Sequence, residues 1–277
     1  MSAHGIRLIA ADPTVLAGLL IAAAWYGVGV RRVWTTAGAG RGVTRAQVWC
    51  YVAGLATLAA ALASPLDAVA DDLFSAHMVQ HLLLISVAAP LLVLGHPLVP
   101  MLWALPRAWR NSLGRRWGTR SALRTAAAAL AVPGVAWALH GITLAVWHVP
   151  AAYDYALAHE PVHAVEHLSF LATACLFWWV ALPGRGGRRL SYGGAILYVT
   201  AMAAIMGIYG AVLTFARSPW YTAYGARTAD WGLTPLADQQ LAGLIMWIPT
   251  GVIYLGAALW CFAAWMTAEE RRAVLNN

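Results

Sequence analysis

The stretch from Asp71 to Pro97 reads DDLFSAHMVQHLLLISVAAPLLVLGHP, and it decides the class of fold. Two acids open it, and no formally charged residue then follows until Arg107. An apolar run of this length is typical of a membrane-spanning helix. His77 and His81 lie inside the run, four residues apart and therefore on one face of the helix. Because polar side chains inside a span are costly and are kept mainly where they face a protein interior or a site, we expect these imidazoles to meet partners from other spans.

The composition of the whole chain agrees with a membrane protein. Of 277 residues, 61% are apolar and only 10% are charged, and the mean hydropathy is +0.65. These values lie outside the balance of soluble domains and are typical of polytopic membrane proteins. The three cysteines, Cys50, Cys175 and Cys261, are far apart and outside any CxxC pattern. That spacing disfavours both disulfides and a cysteine metal cage.

The apolar segments predict an all-α fold, a bundle of seven transmembrane helices that forms one domain over residues 1–277. The breaks between segments carry charges, glycine or proline, such as Pro150 and Pro161. The predicted spans are about 14–31, 46–65, 73–95, 127–149, 161–183, 191–215 and 237–266. The first twelve residues lack the basic start and the cleavage pattern of a signal peptide, so we expect them to be retained.

The distribution of arginine predicts the orientation. All 18 basic residues are arginines, and the loops after the first, third and fifth spans hold most of them without any acid. The opposite loops carry nearly all of the acids. The positive-inside rule then places the N-terminus outside and the C-terminus in the cytoplasm. The same pattern makes the arginines topology signals and contacts for anionic lipid, and it argues against nucleic acid as a partner.

Histidines collect at the predicted outer ends of the spans. His159, His163 and His167 form an i, i+4, i+8 ladder that leads into the fifth span. With a rise of about 1.5 Å per residue, four spans offer an imidazole or a thioether at a similar depth, roughly 12–17 Å from their outer ends. We therefore predict one metal site. Its candidate ligands are His77, His81, His140, His148, His163, His167, Met206 and Met246.

The donor types indicate which metal would bind. Imidazole and thioether without thiolates suit a soft ion such as Cu(I) better than magnesium or calcium. Polar residues nearer the surface are predicted to attract the cation to the mouth of the site or to orient its ligands. These residues are Asp71, Asp72, Asp154, Glu166, Asp238 and Gln239. Because one histidine in a span usually serves packing, and a methionine at helical spacing usually fills the core, the metal hypothesis depends on the convergence of several spans.

Three long motifs carry a family resemblance. They are DDLFSAHMVQHLLL with LGHP, then WHVPAAYDYALAHEPVHAVEHLSFLATACLFWW, then ADQQLAGLIMWIP. Through them, roughly residues 45–265 resemble the CtaG-like family of bacterial cytochrome c oxidase assembly factors. The matching positions are His77, Gln80, His81, Trp147, His148, Tyr153, His163, Glu166, His167, Asp238, Gln239, Gln240 and Trp247. The resemblance implies a multi-pass protein of the bacterial plasma membrane that helps to mature the copper-containing catalytic subunit of a haem–copper oxidase.

The resulting hypothesis is a Cu(I)-binding protein that supports maturation of the oxidase copper centre and is not an enzyme. Its expected partners are membrane lipid, the catalytic subunit of cytochrome c oxidase and a soluble copper donor outside the cell. Two alternatives stay open. His81 facing His140 or His167 could supply both axial nitrogens of a haem. A chain of buried histidine and glutamate, with hinges at Pro90 and Pro249, is also typical of a metal or proton transporter.

Overall fold

The computed structural model describes residues 12–118, 122–182 and 190–276, and over these ranges the chain is helical, with connecting turns and no strand. The all-α prediction is confirmed for this part of the chain. The helices are α1 (Pro13–Ala37), α2 (Arg45–Leu62), α3 (Pro65–Ala70), α4 (Phe74–Leu94), α5 (Leu98–Ala104), α6 (Arg107–Arg116), α7 (Ala122–Leu130), α8 (Pro133–Trp147), α9 (Pro150–Ala158), α10 (Glu160–Ala181), α11 (Tyr192–Thr214) and α12 (Pro235–Asn276). Residues 1–11 of the N-terminal segment that we expect to be retained lie outside the described residues. So do four of the arginines that predict the orientation: Arg120, Arg185, Arg188 and Arg189.

Six of these helices are long and apolar enough to cross a membrane: α1, α2, α4, α10, α11 and α12. The fourth predicted span is not one straight helix, because α7 and α8 meet at a bend of 69°. Pro133 causes the bend, since proline disfavours helical geometry in the residue before it, and Val132 is extended with ψ of 127°. The described residues therefore contain six spans, or seven if the bent pair counts as one. The orientation of the bundle stays a prediction.

The largest apolar core lies among α4, α8, α10 and α11. Leu84, Phe170, Phe177 and Trp178 are enclosed there, each no more than 1% exposed. Lipid tails are as apolar as these side chains, so close packing and small residues, rather than a hydrophobic force, determine how the helices fit together.

The proline at position 90 shapes the middle of α4, where residues Leu83–Ala88 form a π-helical segment. Pro90 has no amide hydrogen and its ring crowds the carbonyl four residues back, so the neighbouring turn widens. The amide of Ala89 donates to the carbonyl five residues back, and Ile85 instead accepts a hydrogen bond of 2.9 Å from Nε1 of Trp178. The widened turn thus ties α4 to α10, and these two helices carry four of the candidate ligands: His77, His81, His163 and His167.

A residue distant in sequence caps the N-terminus of α4. Asp238 on α12 accepts hydrogen bonds from the amides of Phe74, at 2.7 Å, and Ser75, at 3.1 Å. The carboxylate satisfies two amides that have no partner within the helix, and it lies at the positive end of the helix dipole. We predicted Asp238 at the mouth of the site. The structure instead commits its carboxylate to capping, which holds α4 in register with α12.

Two glycines bring α11 and α12 into close contact. A Cβ at Gly210 would lie 2.7 Å from the carbonyl oxygen of Gly243, and a Cβ at Gly243 would lie 2.6 Å from that of Gly210. Small residues allow this approach of two backbones. The helices run antiparallel, with Met206 four residues before Gly210 and Met246 three residues after Gly243. The helical rise therefore places both thioethers at a similar depth, roughly 4–6 Å from the glycine contact.

Candidate metal centre

Two imidazoles face each other on α4. Their spacing of four residues brings Nε2 of His77 to 2.9 Å from Nε2 of His81. His77 is fully buried, and His81 is only 4% exposed. At this distance two neutral imidazoles either share one proton as donor and acceptor or turn both lone pairs toward a common cation.

The ladder on α10 meets this pair. The rings of His163 and His167 lie with their centroids 4.3 Å apart, and the ring of His77 lies 5.0 Å and 5.5 Å from them. Nε2 of His81 lies 3.6 Å from Oε1 of Glu166. Two groups of three residues each bring their potential ligand atoms within 4.8 Å of one another. The first group is His77, His81 and His167; the second is His77, His163 and Glu166. These five residues are termed the histidine–glutamate cluster.

The cluster contains more unpaired polar atoms than a packing role explains. Nε2 of His163, Nε2 of His167 and both carboxylate oxygens of Glu166 are buried without a hydrogen-bond partner. Such atoms are rare, because each one costs on the order of 1–3 kcal/mol in lost hydration. Nitrogen and oxygen ligands lie about 2 Å from a metal ion, so two donors to one ion are at most about 4 Å apart. The donors of the cluster fit one ion after side-chain shifts of about 1 Å.

A small cavity lies beside the cluster, between α4, α8, α11 and α12. Its volume of about 10 Å³ suits a single occupant the size of a water molecule. Three methionines and two histidines line it together with apolar side chains and Thr250; they are Met78, His81, His148, Met206 and Met246. This space is termed the methionine cavity. His81 belongs both to it and to the histidine–glutamate cluster.

His148 lies at the end of α8 with its two ring nitrogens in different surroundings. Nδ1 lies 2.6 Å from the carbonyl oxygen of Leu144, and a carbonyl can only accept, so Nδ1 carries the proton. Nε2 is buried and has no hydrogen-bond partner. The ring is therefore held in the tautomer whose Nε2 lone pair is free to bind a metal.

Sequence reasoning missed two residues of the methionine cavity, Met78 and Thr250. Met78 lies three residues before His81, a spacing that places both on one face of α4, so a signal was present. Thr250 lies four residues after Met246, and its buried hydroxyl oxygen has no partner. Neither residue type is distinctive in a span unless its neighbours in space are known.

The structure does not bring His140 to either group of ligands. Its Nδ1 lies 3.1 Å from Oγ1 of Thr173, and its ring packs against Phe177 with centroids 5.4 Å apart. Eight residues separate His140 from His148 on the same helix, which corresponds to roughly 12 Å. A similar depth estimated along separate helices was therefore insufficient to place His140 in the site.

Aromatic side chains also pack close to His77. The ring of Tyr153 lies 5.2 Å from that of His77, and Phe74 packs against both Tyr153 and Tyr221. The hydroxyl of Tyr221 donates to the carbonyl oxygen of His148 at 2.9 Å. Burial raises the pKa of Tyr221 and of Tyr224, both of which lie in the loop between α11 and α12. These phenols are neutral at physiological pH, as phenols ordinarily are. Together with Phe74 and Tyr153 they form an aromatic cover beside His77.

Two of the residues predicted at the mouth of the site, Asp154 and Gln239, form hydrogen bonds to the loop between α11 and α12. Oδ2 of Asp154 accepts hydrogen bonds from the amide and the hydroxyl of Thr222, at 3.2 and 2.7 Å. Oε1 of Gln239 accepts one from the amide of Trp220 at 2.6 Å. These contacts hold the aromatic cover in place.

The acids at the start of α4 also contact the loop. The backbone carbonyl of Asp71 accepts a hydrogen bond of 2.7 Å from Arg227. Oδ2 of Asp72 accepts one of 3.4 Å from Nε1 of Trp231. Among the polar residues predicted to assist the ligands, only Glu166 lies within a group of potential ligands.

A family model for cytochrome c oxidase caa3 assembly factors matches residues 24–268. The chain belongs to this family. The match includes every residue of the histidine–glutamate cluster and of the methionine cavity, and it confirms the resemblance seen in the three motifs.

Similar curated proteins occur in mycobacteria, and all are described as uncharacterized. Those of Mycobacterium bovis and Mycobacterium tuberculosis are each 26% identical over 227 residues, which covers 80% of this chain and 34% of the relative. One from Mycobacterium leprae is 27% identical over 255 residues, which covers 90% of this chain and 38% of the relative. The chain thus spans about a third of the length of these relatives. No solved structure matches it.

Proposed function

We propose that this member of the oxidase assembly family binds Cu(I) in the histidine–glutamate cluster and supplies it for maturation of the copper centre in the oxidase catalytic subunit. On this proposal the protein is a metal chaperone and not an enzyme. The observation that carries the proposal is the convergence of four imidazoles and one carboxylate from α4 and α10, with buried donor atoms that have no partner in the protein.

The types of donor favour copper as the cargo. Magnesium and calcium prefer sites made of oxygen ligands, whereas imidazole and thioether together suit Cu(I). The cluster offers mainly imidazole, and thioethers line the adjoining cavity. The carboxylate of Glu166 supplies negative charge beside the ligands, which offsets the cost of burying a cation.

The geometry disfavours the haem alternative. The cavity beside His81 has a volume of about 10 Å³, which is room for about one water molecule and far too little for a porphyrin. The rings of His81 and His167 already lie 5.3 Å apart, and His140 packs elsewhere, against Phe177.

The transporter alternative included two candidate hinges, Pro90 and Pro249, in helices that line the site. Pro90 lies beside a π-helical turn that Trp178 ties to α10, which restrains the motion expected of a hinge. Pro249 lies inside the continuous helix α12. Copper flux into sealed vesicles that contain the purified protein would revive this alternative.

Location and partners follow from the same proposal. Several apolar helices suit a multi-pass membrane protein, and we place it in a bacterial plasma membrane. The partners would be lipid, the oxidase catalytic subunit and a soluble copper donor on the outer side. The donor would deliver Cu(I) near His163 and His167, which are less buried than His77 and His81.

The test is Cu(I) affinity of the purified protein, measured under reducing conditions against a competing chelator. The His81→Ala, His167→Ala double variant should bind Cu(I) at least 100-fold more weakly, because even the loss of an outer partner of a metal ligand costs about 10–100-fold. Glu166→Gln should cost about 10–100-fold. In cells, the double variant should remain in the membrane and yield an oxidase short of copper.

His159→Ala is the matched control. His159 belongs to the same ladder, but it is exposed and its Nδ1 lies 2.9 Å from the carbonyl oxygen of Tyr155, away from the cluster. It should bind Cu(I) like the wild type. Tight Cu(I) binding and full oxidase activity in the double variant would refute the proposal and leave these histidines with a structural role.

A further inference from the structure

We propose that the methionine cavity is a second Cu(I) position, distinct from the histidine–glutamate cluster and reached from it by ligand exchange on His81. This inference rests on the proposed function, since it takes Cu(I) as the cargo. It goes further by assigning an order: the ion enters the cluster first and then moves to a thioether site deeper in the bundle.

The thioethers converge from three helices. Met78 on α4, Met206 on α11 and Met246 on α12 line the same cavity, and their exposed fractions are only 1%, 4% and 5%. A methionine that served only as core filler would use its flexible side chain to close such a gap. Here three of them surround a space the size of one small occupant. Thioether sulfur is a neutral, soft ligand that favours Cu(I) over hard divalent ions.

His148 adds a nitrogen donor that is already in position. Its Nδ1 is engaged by the carbonyl oxygen of Leu144 at 2.6 Å, and its Nε2 is buried with no partner. Histidines that bind metals commonly donate their other ring N–H to a backbone carbonyl, which fixes both tautomer and orientation. The arrangement at His148 has this form without any rearrangement of the ring.

His81 connects the two positions. Its Nε2 lies 2.9 Å from Nε2 of His77 and 3.6 Å from Glu166, within the cluster, while its side chain also lines the cavity. During transfer the copper remains Cu(I) and no electron moves. Bonds to nitrogen or oxygen of the cluster break as bonds to sulfur and to Nε2 of His148 form, with His81 bound throughout.

Charge makes the second position selective. The residues that line the methionine cavity include no carboxylate, whereas Glu166 lies in the cluster. Burying a cation among neutral ligands costs far more for a doubly charged ion than for a singly charged one. The histidine–glutamate cluster can therefore bind several metal ions, whereas the methionine cavity binds Cu(I) in preference to doubly charged ions.

The test is X-ray absorption at the copper edge, on purified protein loaded with one equivalent of Cu(I) under reducing conditions. Wild-type protein should show sulfur neighbours around the copper. The Met78→Leu, Met206→Leu, Met246→Leu triple variant removes every thioether that lines the cavity. It should show only nitrogen and oxygen neighbours and release Cu(I) to a chelator more readily. Methionine and leucine have similar volumes, so the exchange is among those that packed interiors tolerate best.

Met202→Leu is the matched control. Met202 is fully buried and one turn from Met206 on the same helix, but it does not line the cavity. This variant should keep the sulfur signal. Loss of the sulfur signal in Met202→Leu, or its persistence in the triple variant, would overturn the second position. A wild type that binds Cu(I) through nitrogen and oxygen alone would overturn it and leave the proposed function standing. A wild type that binds no Cu(I) would overturn both.

Discussion

Replacing Asp238 by alanine removes the carboxylate that caps α4 from α12. Two hydrogen bonds are lost, of 2.7 Å to the amide of Phe74 and 3.1 Å to that of Ser75, and Asp238 is only 1% exposed. A cap is worth about 1–2 kcal/mol and a hydrogen bond to a charged group about 1.5–3 kcal/mol. Water cannot easily replace a partner at this buried position, so we expect a loss of about 3 kcal/mol of stability.

Thermal unfolding in detergent, followed by circular dichroism, measures this loss. At about 2–4 °C per kcal/mol, the midpoint of Asp238→Ala should fall by roughly 6–12 °C. Asp238→Asn, which keeps one oxygen acceptor and can still cap, should fall by less than half as much. Asp230→Ala is the control, because Asp230 is an exposed acid of the neighbouring loop. If Asp238→Ala unfolded within a degree or so of the Asp230 control, the buried cap would not contribute as argued.

Three further predictions concern packing, charge and topology. Gly29→Ala should lower the free energy of unfolding by about 1–3 kcal/mol or more, because its Cβ would lie 1.8 Å from the carbonyl oxygen of Pro100. Gly27→Ala should not lower it, since a Cβ there would have nothing within 4 Å. Thermal unfolding of the two variants tests this contact. The pKa of Asp67 is raised overall, because the effect of burial outweighs the opposing effect of the hydrogen bond from Gln80. A raised pKa favours the fold at pH below the unfolded value of about 3.9, and this contribution is lost as pH rises through the folded pKa. Asp67→Asn should therefore raise the unfolding midpoint at pH 7 and lose that advantage near pH 4, and an equal effect at both values would contradict the assignment. A reporter fused after Gly118 should be cytoplasmic and one after Tyr224 outside, and finding both on one side would overturn the orientation.

Local features of the chain determined much of the architecture. The apolar run after Asp72 predicts a span whatever surrounds it, since about 20 apolar residues are needed to cross the hydrocarbon and few other structures tolerate them. The meeting of His77 with His81, and of His163 with His167, follows from the helical period alone. The sequence thus contained both halves of the histidine–glutamate cluster, although not their contact with each other.

Breaks in helices were harder to foresee. Pro133 and Pro90 both stand in apolar runs that predict one continuous helix. Pro133 ends α7 and bends the chain by 69°, whereas Pro90 is accommodated by a π-helical turn in which Trp178 satisfies a free carbonyl. The difference depends on which side chain of another helix can reach the carbonyl, and that information is not local.

The assembly of the site was decided by tertiary structure alone. Every side of a membrane helix can be apolar, so the pattern of residues does not say which face turns toward which neighbour; packing and close backbone contacts decide it. The contact of Gly210 with Gly243 brings Met206 and Met246 to one depth, and the rotation of α4 adds Met78 to the same cavity. The same packing turns His140 toward Thr173 and away from the cluster. Helical period sets which residues share a face, but only the fit of one helix against another sets which faces meet.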